Sequence, residues 1–304
     1  MKTSDRLVVA PEVAEALREG RGVVALESTL ISHGLPWPEN LQTALASEAA
    51  VRGAGAVPAT TAVIEGAVRV GLPYASLERL ATGVTPAVKA GRRDLGVVVA
   101  RGIDAATTVS ATLWIARKVG IGVMATGGLG GVHRDWPKTF DISNDLDELA
   151  NADGCVVVCS GVKSILDIAA TLEFLETRGV AVIGYRTGDF PAFLTRNSGI
   201  ALENRVETAE EFAAIVKAHR RLGLPGAMIL AQPPIANSAL DRELVEKALA
   251  AALIEAHARD ITGKAVTPFL LSGIRDATAG KSLTANMALI VANAGLAGEV
   301  ARAL

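Results

Sequence analysis

Apolar positions recur along this chain in two alternating rhythms. Short apolar runs at residues 23–26, 97–100, 122–125, 155–159, 180–184 and 227–231 predict buried strands, because a strand covered on both faces needs no polar alternation, and the β-branched, Thr-rich run 57–64 predicts another. Between them, apolar residues at helical spacing predict helices over residues 11–19, 38–52, 76–80, 108–119, 146–150, 164–178, 208–221, 240–259 and 283–303. Pro11 in the first turn and Gly20 past the last suit the first helix; Gly53 stops the second; Thr208 caps 208–221, with Glu210 and Glu211 in its first turn. Strands alternating with helices predict an α/β fold with a mainly parallel sheet and helices on both faces. No repeat, low-complexity tract or flexible linker interrupts the pattern, and Pro233-Pro234 reads as a rigid turn, so residues 1–304 are expected to form one domain.

Composition narrows the function classes. Half of the 304 residues are hydrophobic and a fifth are charged, which excludes a disordered chain. Lys and Arg total 30 and Asp and Glu total 32, a net charge of −2. No basic field exists to hold nucleic acid, and no basic cluster suggests a membrane surface. Cys155 and Cys159 stand four apart in an apolar run. On a strand they share a face at about 13 Å, too far for a disulfide or a shared metal, and read as buried free thiols. The N-terminus, broken by Lys2, Asp5 and Arg6, lacks a signal-peptide core, and no apolar stretch reaches membrane-helix length, so the expected compartment is the cytoplasm.

Chemistry is sought where strands end, since ligands of open α/β sheets bind there. Glu27 ends the run Val23-Val24-Ala25-Leu26 and precedes Ser28, Thr29, Ser32 and His33. A carboxyl at a buried strand end suits a general acid, and equally a backbone cap or an Arg partner. Thr126-Gly127-Gly128-Leu129-Gly130-Gly131-Val132-His133-Arg134 follows another strand. It matches neither a dinucleotide fingerprint nor a Walker loop, but its backbone amides could approach a phosphate. Asp141 and Asp145, with Ser143 between them, offer hard oxygen ligands to Mg²⁺ or Mn²⁺, while Ser143 or Asn144 equally suits a helix cap. Lys163 lies past a strand, at the start of the helix expected from residue 164, where the dipole disfavours a cation and favours a neutral, nucleophilic amine. Lys89, Arg92 and Arg93 suit one anionic group or a solvated loop; Thr107-Thr108 suits a phosphate or a cap. His219 and His257 receive no role. Together, a Lys nucleophile, a Glu acid, an acidic metal site, a Gly-rich loop and a basic cluster suit chemistry at a carbonyl or anomeric carbon of a sugar phosphate.

Several long runs go further. Val24-Ala25-Leu26-Glu27-Ser28-Thr29 with Ile31-Ser32-His33-Gly34, Gly55-Ala56-Val57-Pro58-Ala59-Thr60, Arg92-Arg93-Asp94-Leu95, Ala125-Thr126-Gly127-Gly128 through His133-Arg134, Phe140-Asp141-Ile142-Ser143, Lys163-Ser164-Ile165-Leu166-Asp167 and Thr267-Pro268-Phe269-Leu270-Leu271 resemble the pseudouridine-5′-phosphate glycosidases, a family also named for indigoidine synthase A. The resemblance runs from about residue 8 to the C-terminus. It implies reversible cleavage of the C–C glycosidic bond of pseudouridine 5′-phosphate, giving uracil and ribose 5-phosphate, in pseudouridine degradation. Lys163 matches the family's nucleophile, which forms an imine with the sugar C1′, and Glu27 its proton donor. Asp141 matches the ligand of one Mn²⁺ per subunit. Lys89, Val109 and the segment Ser143-Asn144-Asp145 match substrate contacts, and Thr126, His133 and Asn286 match residues lining the same site. The family's fold is a three-layer α/β/α sandwich, assembled as a homotrimer. Two rivals use the same residues differently: a Schiff-base aldolase or isomerase acting on a sugar phosphate, and a non-catalytic sugar-phosphate sensor.

Overall fold

A computed structural model describes residues 6–261 and 263–304. Its strands are β1 (Leu7–Val9), β2 (Val23–Leu26), β3 (Val57–Ile64), β4 (Ala67–Val70), β5 (Val88–Ala90), β6 (Ala105–Thr107), β7 (Val123–Ala125), β8 (Val132–His133), β9 (Val156–Cys159), β10 (Leu166–Asp167), β11 (Ala181–Tyr185), β12 (Arg205–Val206) and β13 (Met228–Ala231). The helices are α1 (Pro11–Arg18), α2 (Glu39–Gly53), α3 (Tyr74–Thr82), α4 (Leu95–Arg101), α5 (Val109–Val119), α6 (Trp136–Thr139), α7 (Asn144–Ala150), α8 (Ile168–Thr177), α9 (Ala209–Leu222), α10 (Arg242–Ala258), α11 (Val266–Ala277) and α12 (Lys281–Ala303). One 11-stranded sheet has the order β1-β4-β3-β2-β7-β9-β13-β11-β12, with β5 and β6 branching from β3. The run β3-β2-β7-β9-β13-β11-β12 is parallel, and β3 meets β4 and β6 antiparallel.

Side chains alternate across the central strands as the pleat requires. Val24 and Leu26 of β2, Val123 and Ala125 of β7, and Val156 and Val158 of β9 pack with Phe212 and Val216 of α9 and Ala294, Ala297 and Val300 of α12. Their neighbours Val23, Ala25, Met124, Val157 and Cys159 pack on the other face, with Leu113 and Ile115 of α5 and Leu146 and Leu149 of α7. Helices therefore cover both faces, which is the expected α/β/α sandwich around a mixed, mainly parallel sheet. Cys155 and Cys159 are free and buried on that second face, as their spacing requires. α12 is the one described helix long and apolar enough to cross a bilayer, and half of its apolar window is buried in this core.

Three expectations fail, each for a local reason. Residues 97–100 are not a strand but part of α4: Leu95 and Val98 are buried, Val97 is exposed, and Gly102 ends the helix at φ 66°. The helical period, with Asp94 accepting from the Gly91 amide at 2.9 Å just upstream, outweighs the β-propensity of three Val; the strand in this region is β6. The helix expected from residue 164 begins at Ile168, because Asp167 is its cap and accepts from the Ala170 amide at 3.0 Å, while Leu166 and Asp167 pair with β8. Lys163 thus sits on a loop, and the dipole argument for it lapses. α11, with no counterpart in the sequence reading, tolerates Pro268 because that residue lies in the first turn, where no intrahelical donor is required.

Candidate active site

Parallel register brings the site together. Leu26 pairs with Ala125, and Ala125 with Val158, so β2, β7 and β9 end level and release Glu27, Thr126 and Ser160 side by side. A cavity of about 330 Å³ opens at these strand ends. Every residue that the family resemblance assigns to the site lines it: Glu27, Lys89, Val109, Thr126, His133, Asp141, Ser143, Asn144, Asp145, Lys163 and Asn286.

Glu27 is 8% exposed and accepts a hydrogen bond from the Thr126 hydroxyl. Neither a backbone cap nor an Arg partner claims it. Burial pushes its carboxyl above the ordinary value, against the opposing pull of the Lys163 charge and the Thr126 hydrogen bond. Glu27 is therefore built to hold a proton where a free carboxyl would not. Beneath it, Ser28 and Thr107 are buried and tied together: the Thr107 amide donates to Ser28 Oγ at 2.9 Å, and the Thr61 and Thr112 hydroxyls each lie 2.9 Å from Thr107 Oγ1. Thr107 thus serves this hydroxyl network rather than a phosphate.

The acidic segment divides its labour. Ser143 caps α7, accepting from the Asp145 amide at 3.2 Å. The Asp145 carboxylate accepts from the Ser110 amide at 2.9 Å and the Gly130 amide at 3.0 Å. Each of its oxygens accepts one backbone amide, which fixes the carboxylate's orientation against the cavity. The Gly-rich turn is likewise a packing device. Its Leu129 amide donates to Gly161 O at 2.9 Å and its Val132 amide to Thr171 Oγ1 at 2.9 Å. A Cβ on Gly130 would stand 2.2 Å from Ser143 Oγ, and one on Gly128 2.6 Å from the Phe193 ring. Close approach accounts for the glycines at 128 and 130.

The basic cluster also splits. Arg92 pairs with Asp147 at 2.9 Å and with buried Glu148 at 3.1 Å, whereas Lys89 and Arg93 line the cavity. Asp141 is half-exposed at the rim, with an oxygen 3.8 Å from His133 Nε2. Among the described residues no three His, Cys, Asp or Glu side chains converge on one point. Asp141, with the buried, unpartnered Asn144 Oδ1 on the same cavity wall, fits only a hard divalent ion that keeps most of its coordination as water.

Some lining residues received no role in the sequence reading. His33 lines the cavity, its imidazole pushed below the ordinary value by burial and the nearby Lys89 charge, and its Nδ1 lies 2.7 Å from Ser32 Oγ. It follows Glu27 by six residues, a signal that was available. Phe193, Thr267 and Leu271 close the far wall. Phe193 belongs to no motif, and its φ of 61° is visible only in the folded backbone.

Fold and site together define an α/β enzyme whose cavity joins a lysine amine to a buried carboxyl at the ends of parallel strands. A family model described as indigoidine synthase A like protein matches residues 12–303, and the chain belongs to that family. It is 53% identical over 293 residues to a pseudouridine-5′-phosphate glycosidase of Caldanaerobacter subterraneus subsp. tengcongensis, covering 96% of this chain and 95% of that protein. A glycosidase of the same name from Herpetosiphon aurantiacus is 52% identical over 299 residues, covering 98% of each. Among solved structures, the prealnumycin C-glycosynthase AlnA in complex with ribulose 5-phosphate superposes with a TM-score of 0.90 at 41% identity, over 98% of this chain and 96% of that one. An indigoidine synthase A-like protein from Thermotoga maritima superposes with a TM-score of 0.88 at 36% identity, over 97% and 95%.

Proposed function

We propose that this protein reversibly cleaves the C–C glycosidic bond of pseudouridine 5′-phosphate to uracil and ribose 5-phosphate. The observation that carries this reading is the buried Glu27, its carboxyl raised above the ordinary value, opening into the same cavity as Lys163 and Lys89, in a chain about half identical along its length to enzymes of that name. A C-nucleoside has no heteroatom leaving group, so the two-carboxylate glycosidase plan serves it poorly. An amine at C1′ supplies another route.

In this mechanism the Lys163 amine attacks C1′, forming a C–N bond, while the C1′ bond to the ring oxygen breaks and Glu27 delivers its proton to that oxygen. The opened sugar is now held covalently. The resulting secondary ammonium returns a proton to the Glu27 carboxylate; the freed nitrogen lone pair then forms the iminium as the C1′–C5 bond breaks, and the departing electron pair takes that proton at uracil C5. Water adds to the iminium, restores the lysine and releases ribose 5-phosphate. Lys89 and Arg93 bind the phosphate by charge. Thr126 holds Glu27 toward the sugar, and Asn144 and Asn286, whose buried Oδ1 atoms have no partner among the described residues, accept from N–H or O–H groups of the substrate. Asp141 would hold a Mn²⁺, which when bound supplies ordered water and screens negative charge at the rim. The cytoplasm and a homotrimeric assembly complete this reading.

The test is uracil release from pseudouridine 5′-phosphate, followed by chromatography with Mn²⁺ present and then chelated. Release only with metal supports both the reaction and the Asp141 site. Release in both conditions supports the reaction alone. No release in either, from folded protein, returns the aldolase and sensor readings, which borohydride trapping with ribose 5-phosphate separates, because a sensor forms no imine.

A further inference from the structure

We infer that Asn293, a residue of α12 outside the cavity, is a positioning residue that sets the general acid and the nucleophile's loop relative to each other; this deepens the reaction proposed above. Asn293 is 0% exposed. Its Nδ2 donates to Thr126 O at 2.9 Å and Ser160 Oγ at 3.1 Å, and lies 3.4 Å from Gly127 O. Two carbonyl acceptors on one side fix the amide's orientation, since only its NH₂ can serve both. The surrounding face of α12 is Leu289, Ile290, Ala294, Leu296 and Ala297, all buried. A lone amide in such a face is costly to bury unless its hydrogen bonds are made, and here they fall on the two strand ends that lead into the site.

The paired part of β7 and β9 ends at Ala125 and Val158. Two backbone bonds, from Thr126 N to Val158 O at 3.0 Å and from Ser160 N to Gly127 O at 2.9 Å, carry the pairing one step further, and Asn293 ties that step to α12 by holding Thr126 and Gly127 on one side and Ser160 on the other. From this root two paths diverge. The Thr126 hydroxyl donates to Glu27. On the other path, the Ser160 amide donates to Gly127 O at 2.9 Å, Leu129 N to Gly161 O at 2.9 Å, and the Lys163 amide to Leu129 O at 3.2 Å. Segments 126–129 and 160–163 thus climb together from Asn293 to Lys163. No element of secondary structure spans Glu27 and Lys163, so their mutual placement depends on how these strand ends are fastened.

The experiment is a double-mutant cycle on uracil release with Asn293→Leu, Thr126→Val and the pair; both changes keep side-chain volume nearly constant, so water gains no new hole. Asn293→Leu should lower kcat about 10–100-fold, the scale of a small misplacement of reacting groups, with KM held within about threefold. The double variant should fall little below the worse single one, because both cut the same path to Glu27. The Glu27 limb of the kcat/KM profile should move to higher pH in both single variants, as the carboxylate loses a donor. Full kcat in folded Asn293→Leu, or losses that multiply in the double variant, would overturn the inference. If Asn293→Leu does not fold, Ser160→Ala removes one partner of the amide and is read the same way. Isotope-edited infrared titration of Glu27 needs no turnover: a wild type that releases no uracil refutes the proposed reaction, while an unchanged Glu27 titration in the variants refutes the positioning role.

Discussion

The central sheet has a cavity at each end, and the larger one carries no comparable set of opposed acid and amine. At the N-terminal ends of β2, β7 and β9 a groove of about 490 Å³ is lined by Arg117, Asp153 and Arg220 among glycines. Its charged groups hold the chain itself: Arg220 Nε donates to Gly154 O at 2.9 Å, Asp153 accepts from the Gly226 amide at 3.0 Å, and Arg117 pairs with Glu148 at 3.4 Å. At the C-terminal ends the cavity is about 330 Å³, but Glu27 is buried against it and Lys163, Lys89 and His133 line it. Volume does not locate the chemistry; strand direction does. Neighbouring parallel strands deliver their following loops to the same edge, and that edge gathers the carboxyl and the amine.

The largest test of that contrast is Lys163→Ala. Turnover should be lost while circular dichroism stays unchanged, since Lys163 contributes a reacting group and little packing; near-normal turnover would break the covalent scheme. Next comes Glu27→Gln, isosteric and still able to accept from Thr126. Uracil release should fall at least about 10²-fold, yet stability should move the other way. A carboxyl held above its ordinary value makes the folded state bind more protons than the unfolded one, so its contribution is intact below the unfolded pKa and is lost as pH rises through the folded value. Melting curves should therefore show the Gln variant gaining on the wild type toward pH 8, with the gap closing toward pH 4. Equal melting profiles across that range would return Glu27 to an ordinary carboxylate.

Lys89→Ala should act on binding. KM for pseudouridine 5′-phosphate should rise about tenfold or more, the scale of a charge-assisted hydrogen bond, with a much smaller effect on unphosphorylated pseudouridine; equal effects on both would remove the phosphate role. The smallest effect belongs to the opposite end of the sheet. Arg220→Ala should cost about 1–2 kcal/mol of stability through the lost bond to Gly154, seen as a lower denaturation midpoint, and leave kcat unchanged. A drop in kcat there would show that the two ends communicate.

Legibility followed the range of the forces involved. The strand runs at 23–26 and 57–64 were readable to the residue, and Thr208 caps α9 as its spacing with Glu210 and Glu211 implied, accepting from the Glu211 amide at 3.2 Å. These are local effects of hydrophobic period and capping. α4 was misread because Val97-Val98-Val99 carries β-propensity while its packing is helical. The start of α8 was misplaced because Asp167, three residues inside the expected helix, caps it instead. The site residues were all nameable, mostly through long motifs, but their duties were not. That Arg92 turns to Glu148, that Asp145 holds amides, and that glycines 128 and 130 exist for the side chains of Phe193 and Ser143 are facts about distant segments meeting.

By itself the sequence determined the alternation of strands and helices, the absence of a basic field, and the family-bearing runs around Glu27, Asp141 and Lys163, because those rest on neighbours in the chain and on side-chain chemistry. Only the tertiary structure decided that burial would raise the Glu27 carboxyl and that Lys163 would stand on a loop lining the same cavity. It also decided that one buried amide on the last helix would fasten both. Desolvation and hydrogen bonding depend on what surrounds a group, and here the surroundings come from residues up to 167 positions away.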